Sequence, residues 1–199
     1  MNDTTLTTKE QIREIALDLF QKHGYENVKI MDICKSAGVT KRTFYYHFTS
    51  KNDLLTGITK YLGIKAEQLL ASITLSKGPT ETFWELMSVY CTNSEKYGAN
   101  IIKQLYIITL EEGGDADFPF DAHLYPIARQ LIVNAQAASE IRTDVPPDEL
   151  VYTVYHTLRS LSLTWAAQNG SFNLTEEFKK CFKAVLGIQP GHSFSYLED

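Results

Sequence analysis

The chain has 199 residues, of which 44% are hydrophobic, enough for a sizeable folded core and too many for a mainly disordered protein. Its 19 Lys and Arg against 24 Asp and Glu give a net charge of −5, which on its own argues weakly against a nucleic-acid partner. No stretch approaches the roughly 18 consecutive apolar residues of a membrane span, and the polar start is unlike a signal peptide, so we expect a cytoplasmic protein without a membrane partner.

The first predicted helix has a single apolar stripe with charged residues beside it. A Thr followed three residues later by Glu or Gln, beginning at Thr7 or Thr8, predicts a capping box at its start, and Gly24 predicts its end. The residues of the stripe recur with the helical period: Ile12, Ile15, Ala16, Leu19 and Phe20.

Three more helix starts follow at short intervals. A second helix is expected over about Ile30 to Ser36, and the chain must then turn at Gly38. Thr40 is placed to cap a third helix. Ser50 caps a fourth, with Asp53 at its third position, and apolar residues carry this helix as far as Ile73.

The chain beyond residue 60 is rich in aromatic residues, with 17 of the 23 in the chain. Because strand-like alternation is hard to find, we expect an all-α fold. The helices predicted here are Thr80 to Tyr97, Asn100 to Glu112, Asp121 to Ala138, Pro147 to Gln168 and Leu174 to Leu186.

Charge is distributed unevenly along the chain. Residues 1–60 carry nine Lys and Arg against seven Asp and Glu, a net of +2, whereas residues 61–199 carry ten against seventeen, a net of −7. A positive tip on an acidic body suits the attraction of one end to phosphate.

Enzyme and metal sites are not indicated. Cys34, Cys91 and Cys181 are odd in number and widely spaced, so they predict neither a disulfide framework nor a zinc site, and we interpret them as buried small apolar side chains. The histidines show no ligand spacing, and no phosphate loop, nucleophile elbow or supported carboxylate pair is present. We expect no enzyme activity, no metal and no cofactor.

Three short helices with a tight turn between the second and third describe a helix-turn-helix. A recognition helix presents its first turn to base edges, where short polar or cationic residues are suited to hydrogen bonding. The third helix has such residues at its start, whereas Phe44 and Phe48 share the opposite face and should pin it to the core. Its polar first turn comprises Thr40, Lys41, Arg42 and Thr43.

The segment from Ala37 to Phe48, AGVTKRTFYYHF, followed by SKNDLL over Ser50 to Leu55, resembles the signature of the TetR family of transcription regulators. The resemblance extends over about Ile12 to Leu55. It implies a helix-turn-helix DNA-binding domain, residues 1–55, joined by the long fourth helix to a helical ligand-binding and dimerisation domain, residues 56–199.

The resemblance also assigns roles within the DNA-binding domain. Members commonly have Ser or Thr capping the second helix and Arg two residues further on, where this chain has Lys29 and Met31. Lys29 could still meet a phosphate, and Lys51, at the start of the fourth helix, is expected to do so. Positions that match DNA-reading residues are Thr40, Lys41, Arg42, Thr43 and Tyr45, and positions that pack beside or touch the DNA backbone are Tyr46, His47 and Lys51.

Two further sets of residues follow from the implied second domain. The candidates for a ligand pocket are Trp84, Met87, Tyr90, Cys91, Tyr106, Tyr125, Tyr155, His156 and Arg159, although the first four also have ordinary core spacing. The candidates for a dimer interface are Val151, Val154, Leu158, Leu161, Trp165, Phe178, Phe182 and Val185.

The function we predict is that of a homodimeric repressor that a small-molecule effector releases from a palindromic operator in double-stranded DNA. One alternative is a ligand-independent activator. Another is a small-molecule binding protein whose DNA-binding head is vestigial.

Overall fold

The computed structural model describes residues 6–55, 78–112 and 124–188, and within these ranges every regular element is a helix. The all-α prediction is therefore confirmed. We call residues 6–55 the head and the described residues from 78 onwards the body. The predicted course of the fourth helix to Ile73 and the predicted start of a later helix at Asp121 lie outside the described residues.

The head consists of three helices and the first turn of a fourth. These are α1 (Thr8–His23), α2 (Ile30–Ser36), α3 (Lys41–His47) and α4, of which 51–55 are described. The Thr7 alternative for the first cap is correct, because its hydroxyl accepts from the Glu10 N–H at 3.3 Å while the Glu10 carboxylate accepts from the Thr7 N–H at 2.8 Å. Ser50 caps α4 as predicted, accepting from the Asp53 N–H at 3.1 Å.

The head core is formed by apolar faces that all these helices turn inwards. Phe20 packs on Tyr25 with ring centroids 4.9 Å apart, and Phe44 on Phe48 at 5.6 Å. Burying each such side chain contributes about 1.5–3 kcal/mol, which holds short helices that would not form alone. The other residues fully buried here include Ile12, Ala16, Ile33, Leu54 and Leu55.

The body contains five helices whose bounds agree with the predicted spans to within a few residues. Pro126 lies in the first turn of its helix, where the missing N–H of proline costs nothing. The helices are α5 (Pro79–Tyr97), α6 (Ala99–Glu112), α7 (Leu124–Ala137), α8 (Pro147–Ala167) and α9 (Leu174–Leu186).

The body core lies where α5 meets α7 and α9 and where α8 packs along α6, α7 and α9. Trp84 of α5 stacks on Phe178 of α9 at 5.7 Å and meets the edge of Phe182 at 5.2 Å. The connection between α7 and α8 also holds α5, because Glu140 accepts from the Thr80 N–H at 3.1 Å and from the Thr80 hydroxyl at 2.6 Å. None of the helices in the described ranges is long and apolar enough to cross a bilayer.

Candidate nucleic-acid interface and other predicted sites

The turn between α2 and α3 is set by one glycine and two backbone hydrogen bonds. Gly38 has a φ of 64°, a left-handed conformation that glycine adopts without strain. The Gly38 N–H donates to the Lys35 carbonyl at 3.4 Å, and the Val39 N–H donates to the Cys34 carbonyl at 3.0 Å. These bonds close the end of α2 and start α3 two residues later.

Thr40 caps α3 as predicted. Its hydroxyl accepts from the Thr43 N–H at 3.1 Å and lies 2.9 Å from the Thr43 hydroxyl. Lys41 and Arg42 then occupy the first turn of α3 with exposed side chains, and that turn contains no acidic residue. The start of the helix therefore presents two cations and two hydroxyl groups side by side.

The opposite face of α3 is anchored in the head core. Phe44 is fully buried and Phe48 nearly so, and the Arg13 guanidinium of α1 lies over the Phe48 ring at 5.5 Å. The predicted packing role of both phenylalanines is confirmed. Because these rings fix the rotation of α3 about its axis, Tyr45 points outwards with 53% of its surface exposed.

Tyr46 is the most exposed of the large hydrophobic side chains described in the head, with 84% of its surface exposed. It contacts the half-buried ring of His47 edge-on, with centroids 4.9 Å apart. Exposure to this degree leaves Tyr46 outside the head core and available on the same helix as the cationic first turn.

Lys51 makes contacts within the head that the sequence did not predict. Its ammonium donates to the carbonyls of Tyr25 at 2.7 Å and Val28 at 3.2 Å, and it lies 3.9 Å from the centroid of the Tyr25 ring. Burial lowers the pKa of Lys51, and the nearby negative charge of Glu26 partly opposes that shift. The hydroxyl of Tyr25 donates to the Asn52 side chain, so the start of α4 holds the loop before α2 by two side chains.

The start of α2 departs from the family pattern in the way the sequence indicates. Lys29 makes no side-chain capping bond, because an ammonium has no acceptor, but its N–H donates to the Asp32 carboxylate at 2.9 Å. Lys29 is exposed, and so is Met31, which shows 53% of its surface.

The predicted pocket residues do not converge on one place. Those on α5, Trp84, Met87, Tyr90 and Cys91, are all buried within the core of the body. Burial raises the pKa of the Cys91 thiol, as expected for a core cysteine. Cys34 is also buried, whereas Cys181 is half-buried. The interpretation of the cysteines as core residues is therefore confirmed for Cys34 and Cys91.

The other predicted pocket residues lie on α6, α7 and α8. The Tyr106 hydroxyl of α6 donates to the Arg159 carbonyl of α8 at 3.0 Å, and burial raises the pKa of Tyr106. Tyr155 is buried one turn before Arg159. Tyr125 instead donates to the Asp148 carboxylate at 2.6 Å, near the start of α8.

His156 lies on the outer face of α8, beside Tyr152 at a ring-centroid separation of 4.0 Å. It is exposed, while Tyr155 next to it in the sequence is buried. His156 therefore faces away from the interior that the pocket prediction assumed for it.

The predicted dimer residues require a correction. Leu161 and Val185 are half-buried, but the other six pack in the core of their own chain, with at most 5% of their surface exposed. The reason is that an apolar pattern cannot separate a face that packs within the chain from one that packs between chains. The six buried residues are Val151, Val154, Leu158, Trp165, Phe178 and Phe182.

The exposed face of α8 was not among the sites predicted from the sequence. Tyr152, His156, Ser160 and Leu163 recur at three- and four-residue steps along it, and all four are exposed. The signal was present in the sequence, since Arg159 is the only charged residue between Leu150 and Gln168. A shallow groove follows this face, lined by Tyr152, Thr153, His156, Thr157, Ser160, Leu161 and Cys181 of α9.

Comparison with known proteins identifies the head most directly. A sequence model of the family described as "Bacterial regulatory proteins, tetR family" matches residues 12–58. AcrR of Shigella flexneri, an HTH-type transcriptional regulator, is 39% identical over 51 residues, which cover 26% of this chain and 24% of that protein.

Similarity also extends along nearly the whole chain. The transcriptional regulator MftR of Mycobacterium tuberculosis is 24% identical over 181 residues, covering 90% of this chain and 89% of that protein. The crystal structure of Thermus thermophilus FadR, a TetR family repressor in complex with lauroyl-CoA, matches with a TM-score of 0.60 and 20% identity. It covers 93% of this chain and 98% of that one. At this identity the structural likeness establishes the fold.

Proposed function

Because the chain belongs to the TetR family of bacterial regulatory proteins and is a transcription regulator rather than an enzyme, we propose that it is a repressor released from a palindromic operator by a small-molecule inducer. The observation that carries this proposal is the first turn of α3. Thr40 caps this turn, and its exposed residues Lys41 and Arg42 lie opposite the buried anchors Phe44 and Phe48. The protein would act in the cytoplasm, where bacterial operators are found.

Base reading is assigned to α3. An α-helix fits the major groove of B-DNA, and Lys or Arg there can bond the O6 and N7 acceptors of guanine. We assign this contact to Lys41 and Arg42, and hydrogen bonds to neighbouring bases to Thr40 and Thr43. Tyr45, on the exposed face one turn further on, would contact a base or the sugar beside it.

Backbone contacts are assigned to side chains around α3. Tyr46 and His47 lie at its end, and Lys29 is exposed at the start of α2. Lys51 has three N–H donors, of which two directions are used by the carbonyls of Tyr25 and Val28. We assign its third N–H to a phosphate, which makes the charge of Lys51 part of the DNA contact.

A homodimer would use the exposed face of α8. This face is accessible yet nearly uncharged, and the depletion of charge at the centre of an interface is typical of protein association. Two-fold symmetry places the same patch against itself and gives two recognition helices, as a palindrome requires. The partner surface therefore centres on Tyr152, His156, Ser160 and Leu163, with Leu161 at its edge.

The dimer face has a direct test. Replacing Tyr152 and His156 together by Glu should place four carboxylates at the two-fold contact and convert the protein to a monomer in sedimentation experiments. Asn100→Glu, which adds an acid to an exposed position on α6, is the matched control and should remain dimeric. A Tyr152/His156 variant that stays dimeric would assign the interface elsewhere.

The inducer is assigned to the body. Support comes from the fold shared with Thermus thermophilus FadR, whose structure contains lauroyl-CoA. The Tyr106 hydroxyl bonds the backbone carbonyl of Arg159 where α6 meets α8, and we assign Tyr106, Tyr155 and Arg159 to inducer recognition. Binding of the inducer would favour a dimer whose heads no longer match two successive major grooves. The inducer would then lower the affinity for DNA by the same factor by which DNA lowers the affinity for the inducer.

The experiment that tests the function is selection from random double-stranded DNA followed by transcription in vitro. We expect the wild-type protein to enrich a palindrome, to bind it as two chains per site, and to reduce transcription from a promoter that overlaps it. Enrichment of an unpaired half-site, or an increase in transcription, would contradict the proposal.

A further inference from the structure

The head contacts the body through a side chain of α1 that had no role in the sequence-based predictions. The Gln21 side-chain N–H₂ donates to the carbonyl of Lys96 at 2.6 Å and to that of Tyr97 at 2.8 Å. These carbonyls belong to the last turn of α5, where no further helical N–H can bond them. One amide of the head therefore bonds two carbonyls in the last turn of a helix of the body, just before its C-cap Gly98.

The same turn of α5 also holds the start of α9. One oxygen of Glu95 accepts from the N–H groups of Leu174 at 2.8 Å and Thr175 at 3.3 Å, and the other accepts from the Thr175 hydroxyl at 2.7 Å. A carboxylate at the start of a helix satisfies free N–H groups and is favoured by the helix dipole. The residues from Glu95 to Tyr97 thus bind the head through carbonyls and α9 through a carboxylate.

The connection from α8 to α9 packs tightly against this place. Gly170 has a φ of 75°, and a Cβ there would lie 3.4 Å from the Trp165 ring and 3.5 Å from the Cβ of Ala99, at the start of α6. The Trp165 indole N–H donates to the Phe172 carbonyl at 2.9 Å. The ends of α1, α5 and α8 and the starts of α6 and α9 therefore meet in one packed region.

We propose that Gln21 is a positioning residue that fixes the orientation of the head relative to α8 and α9 through the last turn of α5. This inference rests on the proposed function, in which α8 forms the dimer. The two hydrogen bonds of Gln21 are directional and join two carbonyls one residue apart, so they resist a pivot of α1 about the end of α5. In a dimer this orientation sets the distance between the two recognition helices and hence the half-site spacing that the protein prefers.

The test compares Gln21→Met with the wild-type protein. Methionine keeps the length of the side chain and removes both donors, and Gln11→Met, at another exposed position of α1, is the matched control. The DNA probes are the palindrome selected by the wild-type protein and versions whose centre is one base pair shorter or longer. Affinity is measured by fluorescence anisotropy, with thermal unfolding and sedimentation as parallel readouts.

The wild-type protein and Gln11→Met should prefer the selected spacing. Gln21→Met should bind that spacing about tenfold more weakly, a change in the range of coupling between two sites, and should discriminate less among the three spacings. Its affinity for unrelated DNA, its dimerisation and its midpoint of thermal unfolding should stay at wild-type values. A second variant, Glu95→Gln, weakens the hold on α9 from the same turn and should broaden the spacing preference in the same direction.

Two other results would overturn the inference in distinguishable ways. If Gln21→Met keeps the wild-type spacing preference, Gln21 has no positioning role, although the proposed function still stands. The same conclusion would follow if Gln21→Met lowered only the thermal stability. A wild-type protein that shows no preference among spacings contradicts the dimeric operator itself, and the role of Gln21 falls with it.

Discussion

The head and the body differ in how far apart in the sequence the residues lie that determine their functional surfaces. In the head, the cap, the cationic first turn and the two buried anchors of α3 all lie within nine residues, Thr40 to Phe48. In the body, the surface assigned to dimerisation depends on which side of α8 meets α6, α7 and α9. A helix rotates by about 100° per residue, so buried Val151 is followed directly by exposed Tyr152.

This difference agrees with the sequence comparisons. The match to AcrR reaches 39% identity but covers only 51 residues, whereas the match to MftR covers 181 residues at 24%. A local constellation that must fit DNA constrains each of its residues, while many apolar sequences fill the same helical body. The head should therefore be sensitive to single substitutions that alter function, and the body chiefly to substitutions that alter packing.

The largest effect is expected from removing an anchor of α3. Phe44→Ala should destabilise the head by about 3–5 kcal/mol, because it deletes a fully buried ring and leaves a cavity. Operator binding should be lost, since α3 would no longer be held in one rotation. Urea unfolding and anisotropy measure the two effects, and Tyr46→Ala, at an exposed position of the same helix, should change stability by less than about 0.5 kcal/mol.

A separate prediction concerns the reading of bases. Arg42→Ala should weaken operator binding by roughly tenfold to a hundredfold and relax specificity at one position of each half-site, because an arginine bonded to guanine contributes about 1–3 kcal/mol of discrimination. Lys103→Ala removes an exposed cation from α6 and should leave operator affinity unchanged. Equal losses for the two variants would mean that general charge, rather than α3, determines binding.

The head was largely predictable from sequence because its determinants are local. Caps at Thr7, Thr40 and Ser50, the turn at Gly38 and the burial of Phe44 all follow from residues a few positions apart. The engagement of Lys51 was not predictable, because its partners, the carbonyls of Tyr25 and Val28, lie in a loop more than twenty residues earlier.

Helix bounds in the body were predictable for the same local reason, but the faces of the helices were not. Apolar periodicity identified Val154 and Leu158 as important and could not say that they pack inside their own chain. The contacts of Gln21 with the end of α5 join residues 75 and 76 positions apart. Nothing in a single sequence relates an exposed glutamine to a helix end at that distance.

Lys51→Met should have an intermediate effect that separates structure from charge in the head. The substitution keeps the aliphatic stem but leaves the Tyr25 and Val28 carbonyls without their ammonium donor, so we expect operator affinity to fall by about tenfold. If the third N–H meets a phosphate, the slope of log affinity against log salt should fall by about one. A loss of affinity with an unchanged slope would confine Lys51 to holding the loop before α2.

The smallest effect provides the closest comparison between the two regions, because each has a helix with a side-chain N-cap. Thr40 caps α3 and Asn173 caps α9, where its side chain accepts from the Glu176 N–H at 2.9 Å. Replacing either by Ala should cost about 1 kcal/mol of unfolding free energy. Thr40→Ala should also weaken operator binding, since it frays the turn that presents Lys41 and Arg42 and removes the hydroxyl assigned to a base. Asn173→Ala should not, since Glu95 still holds the start of α9.

Urea unfolding and anisotropy on the same two variants would show whether equal losses of stability have unequal functional consequences. If Asn173→Ala weakened operator binding as much as Thr40→Ala does, global stability rather than the local geometry of α3 would limit DNA binding.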